Sequence, residues 1–139
     1  MKLSTRSRYG TRMMLELAEH YDEGPTQIGE IARRQDISVK YLEQLIIPLK
    51  KNDLIKSVRG PKGGHLLAKP PDKISIGEIV KVLEGSICLS DCIENPASCD
   101  MFDSCLTRHL WERATNAMFN ELDSITLDEM INGRKNLRD

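Results

Sequence analysis

Aromatic residues are scarce in this 139-residue chain, six in all: Tyr9, Tyr21, Tyr41, Phe102, Trp111 and Phe119. A core must therefore be assembled from Leu, Ile, Val, Met and Ala, an inventory that suits helices packed on helices. Long apolar runs are also missing, which argues against a membrane-spanning helix. The opening Met1-Lys2-Leu3-Ser4-Thr5-Arg6 has no apolar block of the kind an export signal needs. A cytoplasmic protein with no membrane partner is expected. Cysteine is absent outside residues 88–105, so the disulfide framework of a small secreted domain is not in view. Net charge is nearly absent too, at −1, but the balance is uneven. Residues 1–84 hold fifteen Lys+Arg against eleven Asp+Glu, and the remainder holds five against ten. A basic part joined to an acidic part fits a nucleic-acid-binding module that carries a separate sensing or assembly module.

Between Ser4 and Tyr21, Tyr9, Met13, Met14, Leu17 and Ala18 recur at helical spacing, with Arg6, Arg8 and Arg12 on other faces. Gly24-Pro25 breaks that helix, and Thr26 opens a short second one through Ile28, Ile31 and Ala32. Gln35-Asp36-Ile37 makes a tight connection. Ser38 then caps a third helix that carries Leu42, Leu45, Ile46 and Leu49 inward. Pro48 predicts a bend or restart in its last turn. The runs 54–59 and 65–68, separated by Gly60-Pro61-Lys62-Gly63-Gly64, predict a β-hairpin with a glycine-rich tip. A helix-turn-helix followed by such a hairpin is a winged helix. Ser75–Leu83 returns to helical spacing, residues 85–104 show no sustained period, and 106, 110, 114, 118 and 122 predict a helix of about four to five turns.

The expected architecture is mainly α with a small β-hairpin. Residues 1–84 form a winged helix-turn-helix, 85–105 a cysteine-rich loop, and 106–139 a long helix with a tail. A winged helix of this size reads few base pairs, so the long helix is assigned to homodimerisation, which doubles the contact.

On a helix that starts after Ser38, Lys40, Glu43 and Gln44 lie away from the Leu42, Leu45, Leu49 stripe and are available to a major groove of double-stranded DNA. Gln44 suits adenine and Lys40 suits guanine or phosphate. Glu43 accepts from cytosine N4 and penalises sites that lack such a donor. Arg59, Gly60 and Lys62 suit a wing tip entering a minor groove. Arg6, Arg8 and Tyr9 are placed for phosphate contacts.

Cys88, Cys92, Cys99 and Cys105 are separated by three, six and five residues. Reduced thiols crowded in this way favour metal or redox chemistry. The close Cys-x2-Cys knuckle of structural zinc is absent, and wider spacing on a loop suits an iron–sulfur cluster; spacing alone leaves both metals open. A thiol-redox regulator, with Cys88 and Cys92 as a switch, is a further reading. A small redox enzyme or electron carrier is a poorer one. It leaves residues 59–64 without a purpose, and no Ser/His/Asp arrangement or phosphate loop accompanies the thiols, so the chain is not expected to be an enzyme.

The stretches Ser38–Leu45 with Tyr41-Leu42-Glu43-Gln44-Leu45, Ser57–Gly64, and Cys105-Leu106-Thr107 with Leu110-Trp111 closely resemble the IscR-like family of winged-helix iron–sulfur regulators. The resemblance runs from Arg8 to about Asn132. It implies a dimeric, cluster-governed transcription factor, with Cys92, Cys99 and Cys105 as thiolate ligands and a two-iron or a four-iron cluster. By the same resemblance Lys40, Glu43 and Gln44 occupy the base-reading face and Arg59 the wing position that enters the minor groove; Ser38 and Tyr41 on that helix, Arg8 near the first helix, and Gly60 and Lys62 at the wing tip complete the expected DNA-binding set. Two departures stand out. The Cys92–Cys99 gap is one residue longer than the family's, and Arg108 stands where the family places a histidine ligand. The fourth ligand is therefore open between His109 and Cys88. Nitric-oxide sensors of the family use an acid from the N-terminal helix, where this chain offers Arg6 and Arg8.

Overall fold

A computed structural model describes residues 2–85 and 87–133; residues 134–139 of the expected tail lie outside the described residues. Helix α1, Thr5–Glu19, starts at Ser4, whose hydroxyl accepts from the Ser7 amide at 3.3 Å. It buries Met13, Met14 and Leu17 completely or nearly so. Helix α2, Ile28–Gln35, stops at Asp36 in the left-handed conformation (φ 53°). That turn returns Ile37 to the core, with its amide donating to the Ala32 carbonyl at 3.1 Å. Ser38 then caps helix α3, Val39–Lys51, by accepting from the Tyr41 amide at 3.1 Å. Turn and cap together set α3 across α2 as the helix-turn-helix reading expects.

Pro48 does not break α3, which is continuous from Val39 to Lys51. The Pro48 carbonyl accepts from the backbone and side-chain amides of Asn52 at 3.1 and 2.8 Å, so the last turn closes around it. Strands β1, Ile55–Val58, and β2, Gly64–Leu67, pair antiparallel with Ile55 opposite Leu67 and Val58 opposite Gly64. Thr26, just before α2, adds a third rung: its amide donates to the His65 carbonyl at 2.9 Å and its carbonyl accepts from the His65 amide at 2.8 Å. A Cβ on Gly64 (φ +149°) would sit 2.4 Å from the Thr26 carbonyl oxygen, so this rung requires glycine.

Helix α4, Ile76–Glu84, crosses α1 and inserts Ile79 and Leu83 into the core. Among the described residues of 85–105 there are only the short helix α5, Asp91–Glu94, and two single turns, in agreement with the lack of periodicity. Helix α6, Leu106–Asp123, is 18 residues long. Its apolar seam divides. Met118, Phe119 and Leu122 pack on the core, whereas Leu106 (86% exposed), Leu110 and Trp111 are open.

The segment after α6 is more than a tail. Residues 125–127 pair beside residues 74–76, and Thr126 caps helix α7, Leu127–Asn132. This helix packs on α1 and places Leu127 in the same core, fully buried. The core is thus one aliphatic cluster drawn from α1 to α4, the hairpin and α7. Burying each such Leu or Ile contributes about 1.5–3 kcal/mol.

Candidate nucleic-acid interface and cysteine segment

Helix α3 divides by period. Leu42, Leu45, Ile46 and Leu49 are buried, and Lys40, Glu43, Gln44, Ile47, Lys50 and Lys51 are exposed. Ser38 serves as its cap and is itself exposed. Tyr41 is half-buried, its ring edge-on to Tyr9 with centroids 5.9 Å apart. Tyr9 in turn lies under Arg12, 5.4 Å from its ring, while Arg12 holds the end of α2 by donating to the Gln35 carbonyl at 2.7 Å and to its side-chain oxygen at 3.0 Å. Sequence reasoning missed this Arg12–Gln35 clamp, because a contact 23 residues apart has no local signal. Arg6, Tyr41, Gln44 and Leu45 line a common hollow of about 300 Å³, so the N-terminal end of α1 borders the exposed face of α3. Arg8 is exposed beside Tyr9, 6.0 Å from its ring, with its nearest polar partner the Thr5 hydroxyl at 3.5 Å.

At the wing, Arg59, Gly60, Pro61 and Lys62 are all exposed. Gly60 has φ +114°, and its carbonyl accepts from the Gly63 amide at 2.9 Å, which closes the tip. Gln27 ties the tip to the start of α2 by donating to the Pro61 carbonyl at 3.3 Å. His65, on β2, faces the Ser57 hydroxyl at 3.0 Å. Burial, and then the Lys50 charge, lower its pKa, while Glu43 opposes the shift. The histidine therefore lies in the joint field of the wing and α3. The sequence reading passed over it.

None of residues 90–105 is buried, and all four cysteines are free thiols. Cys99 is exposed; Cys88, Cys92 and Cys105 are half-buried. Cys105 stands at the start of α6, where the Thr107 hydroxyl 3.1 Å away and then the Arg108 amide lower its pKa. Cys92 Sγ lies 3.2 Å from the Ser90 hydroxyl. Burial, and then Glu94, raise the pKa of Cys88, which lines a cavity of about 200 Å³ with Glu84, Ile87 and Asp91. His109 is exposed, with Nδ1 3.7 Å from a Glu112 carboxylate oxygen. Arg108 folds back over Phe102, its guanidinium 4.0 Å from the ring centroid, and its buried Nε, 4.0 Å from a Glu112 carboxylate oxygen, has no hydrogen-bond partner among the described residues.

Among the described residues, the only set of three metal-ligand atoms within 4.8 Å is Glu16, Glu19 and His20, so no three cysteines converge. The Glu16 set already contains a cation. Arg34 donates to Glu16 at 3.4 Å and Glu30 at 2.7 Å, and lies 2.8 Å from His20 Nε2. These contacts clamp α1 to α2.

Helix-turn-helix, wing and an exposed polar α3 define the class: a winged-helix transcriptional regulator. A family model described as Rrf2, iron-dependent transcriptional regulator, matches residues 3–133, and the chain belongs to that family. It is 40% identical over 135 residues to the HTH-type transcriptional regulator IscR of Pectobacterium atrosepticum, covering 97% of this chain and 82% of that protein. The solved structure of T. potens IscR superposes with a TM-score of 0.81 at 39% identity, covering 100% of this chain and 92% of that one. CymR, the global cysteine regulator of B. subtilis, superposes with a TM-score of 0.78 at 42% identity, covering 94% and 95%. No helix among the described residues is long and apolar enough to cross a membrane.

Proposed function

We propose that this chain acts as a homodimer on double-stranded DNA and that an iron–sulfur cluster on residues 85–105 governs its grip. One observation carries the reading: an exposed, polar α3 and a cysteine segment with no buried residue from 90 to 105 stand in one small chain, joined through α4. Gln44 and Glu43 read base edges, Lys40 contacts guanine or phosphate, and Arg59 with Lys62 runs along a minor groove. Ser38 and Tyr41 position α3, the first as its cap and the second through Tyr9. Arg6 and Arg8 add phosphate contacts without sequence information. The open face of Leu106, Leu110 and Trp111 is where a second copy packs, so residues 1–84 act as the reading part and α6 as the pairing part.

The donor set fits the cluster in kind. Cys92, Cys99 and Cys105 are soft, free thiols on a segment with no buried residue from 90 to 105, and the Thr107 hydroxyl and then the Arg108 amide lower the pKa of Cys105. When bound, the cluster supplies a labile iron centre that responds to iron supply, oxygen or nitric oxide. For the fourth position the candidates are His109, open to solvent on α6 with Nδ1 3.7 Å from Glu112, and Cys88, which lines a cavity ahead of α5. Gathering the three thiols reshapes residues 85–105 and with them the setting of α6, and so the spacing of the two reading heads.

The test is anaerobic purification with iron and sulfide analysis, then gel shifts of wild type and Cys92→Ala on selected operator duplexes. Iron-containing protein whose affinity changes on cluster loss supports the reading; colourless protein with stoichiometric zinc defeats it. A thiol-redox regulator is the second reading, favoured by the non-convergence of the cysteines. In that case affinity tracks thiol oxidation in iron-free protein.

A further inference from the structure

We propose that Ile47 is a specificity-determining residue of α3, reading the 5-methyl group of a thymine in the major groove. The inference deepens the DNA-binding reading above and rests on it. Ile47 is 67% exposed, although it sits in the third turn of a helix whose other large apolar side chains beyond the first turn are buried. At about 100° per residue it projects within about 20° of Lys40 and about 40° of Lys51, and nearly opposite the fully buried Leu49. It therefore lies on the midline of the exposed ridge, with a cation at each end and Glu43 and Gln44 one turn before it. That charge pattern complements a duplex. It does not suit an apolar protein surface, which would leave Lys40, Lys50 and Lys51 desolvated.

Within a major groove the apolar feature on the base edges is the thymine methyl group, and an aliphatic side chain is its natural partner. The spacing agrees. From Gln44 to Ile47 the helix advances about 4.5 Å, close to the roughly 3.4 Å rise of one base pair. Gln44 and Ile47 therefore address neighbouring pairs: an adenine by its amide edge, and a thymine by its methyl group. The β-branched side chain has little rotameric freedom in a helix, so its methyl groups are presented in one place.

The experiment selects operator duplexes from a random-sequence library with the purified protein, then replaces each thymine in turn by uracil, which removes only the methyl group. One symmetry-related thymine pair is expected to weaken wild-type binding by about fourfold per half-site, the factor that burying one methyl group gives. Ile47→Ala is expected to bind more weakly and to be indifferent to uracil at that position, with an unchanged thermal midpoint because the residue is exposed. Two results overturn the proposal: wild-type binding indifferent to uracil at every thymine, or the same uracil sensitivity in Ile47→Ala. Failure of the selection to enrich any duplex would instead defeat the DNA-binding reading itself.

Discussion

Glu43 is the residue on α3 whose charge opposes a phosphate-lined groove, and it stands exposed beside Gln44. A carboxylate there is tolerated only where a base donor meets it, so its removal relaxes discrimination more than it reduces affinity. Glu43→Ala is expected to bind a broader set of duplexes at similar strength, whereas Gln44→Ala loses about 1–3 kcal/mol on the best site. Competition gel shifts across single-base operator variants distinguish the two. These residues were legible in the sequence because helical period alone separates 40, 43 and 44 from 42, 45 and 49. The support behind them was not. Tyr9 under Tyr41 and Arg12 across Gln35 depend on how α1 crosses α3 and α2, which no local pattern encodes. For the cysteines, donor type and order are legible in the sequence, and the structure adds that no three of them converge.

At the scale of the element, the wing is more than a two-stranded hairpin. Thr26 adds a bridge on the far side of β2, and Gln27 holds the tip, so the wing is tied to the helix-turn-helix. His65 is the ionisable group in that joint. Burial, and then Lys50, lower its pKa in the folded protein from the ordinary 6.5. On acidification the unfolded chain takes the proton first, so this contribution to stability is fully present above about pH 6.5 and is lost as pH falls toward the folded value. Thermal midpoints of wild type are therefore expected to drop more between about pH 7.5 and about pH 5 than those of His65→Gln. Equal drops would show that His65 is not the group responsible. The hairpin itself was legible from Gly60 to Gly64, but its tie to Thr26 was hidden because the pairing joins residues far apart in sequence.

For the whole molecule, α7 binds the C-terminal segment into the reading unit. Leu127 is fully buried at the start of α7, which packs on α1, and Leu127→Ala is expected to cost about 2–5 kcal/mol of stability, measured by denaturant unfolding. A loss below about 1 kcal/mol would mean that α7 is only loosely attached. The sequence carried a sign of this helix, Thr126 with Glu129 three residues later, whose amide bonds the Thr126 hydroxyl at 3.1 Å. Periodicity did not reveal it, because six residues are too few to establish a repeat. Helix α6 was legible in length and position. Its division into a packed half and an open half was not, since both halves carry the same spacing. Leu110→Glu lies on the open half. It is expected to yield monomer in sedimentation velocity with an unchanged fold by circular dichroism, and to weaken operator binding by about tenfold or more through loss of the second half-site.

Glu84 closes α4, and its carboxylate oxygen accepts from both the Ser4 amide and the Ser7 hydroxyl at 2.7 Å. The residue that launches the cysteine segment is thus bolted to the first turn of α1, beside Arg6 and Arg8. A few positions on, the Leu89 amide is pinned to the Thr115 hydroxyl of α6 at 3.2 Å. The segment's leading end is accordingly a fixed abutment. On the proposed reading, a contraction between Cys92 and Cys105 bears on the trailing end, where the front half of α6 carries the open side chains Leu106, Leu110 and Trp111. The open half of α6 is, on that reading, the arm through which a change in the cysteine segment reaches the second copy.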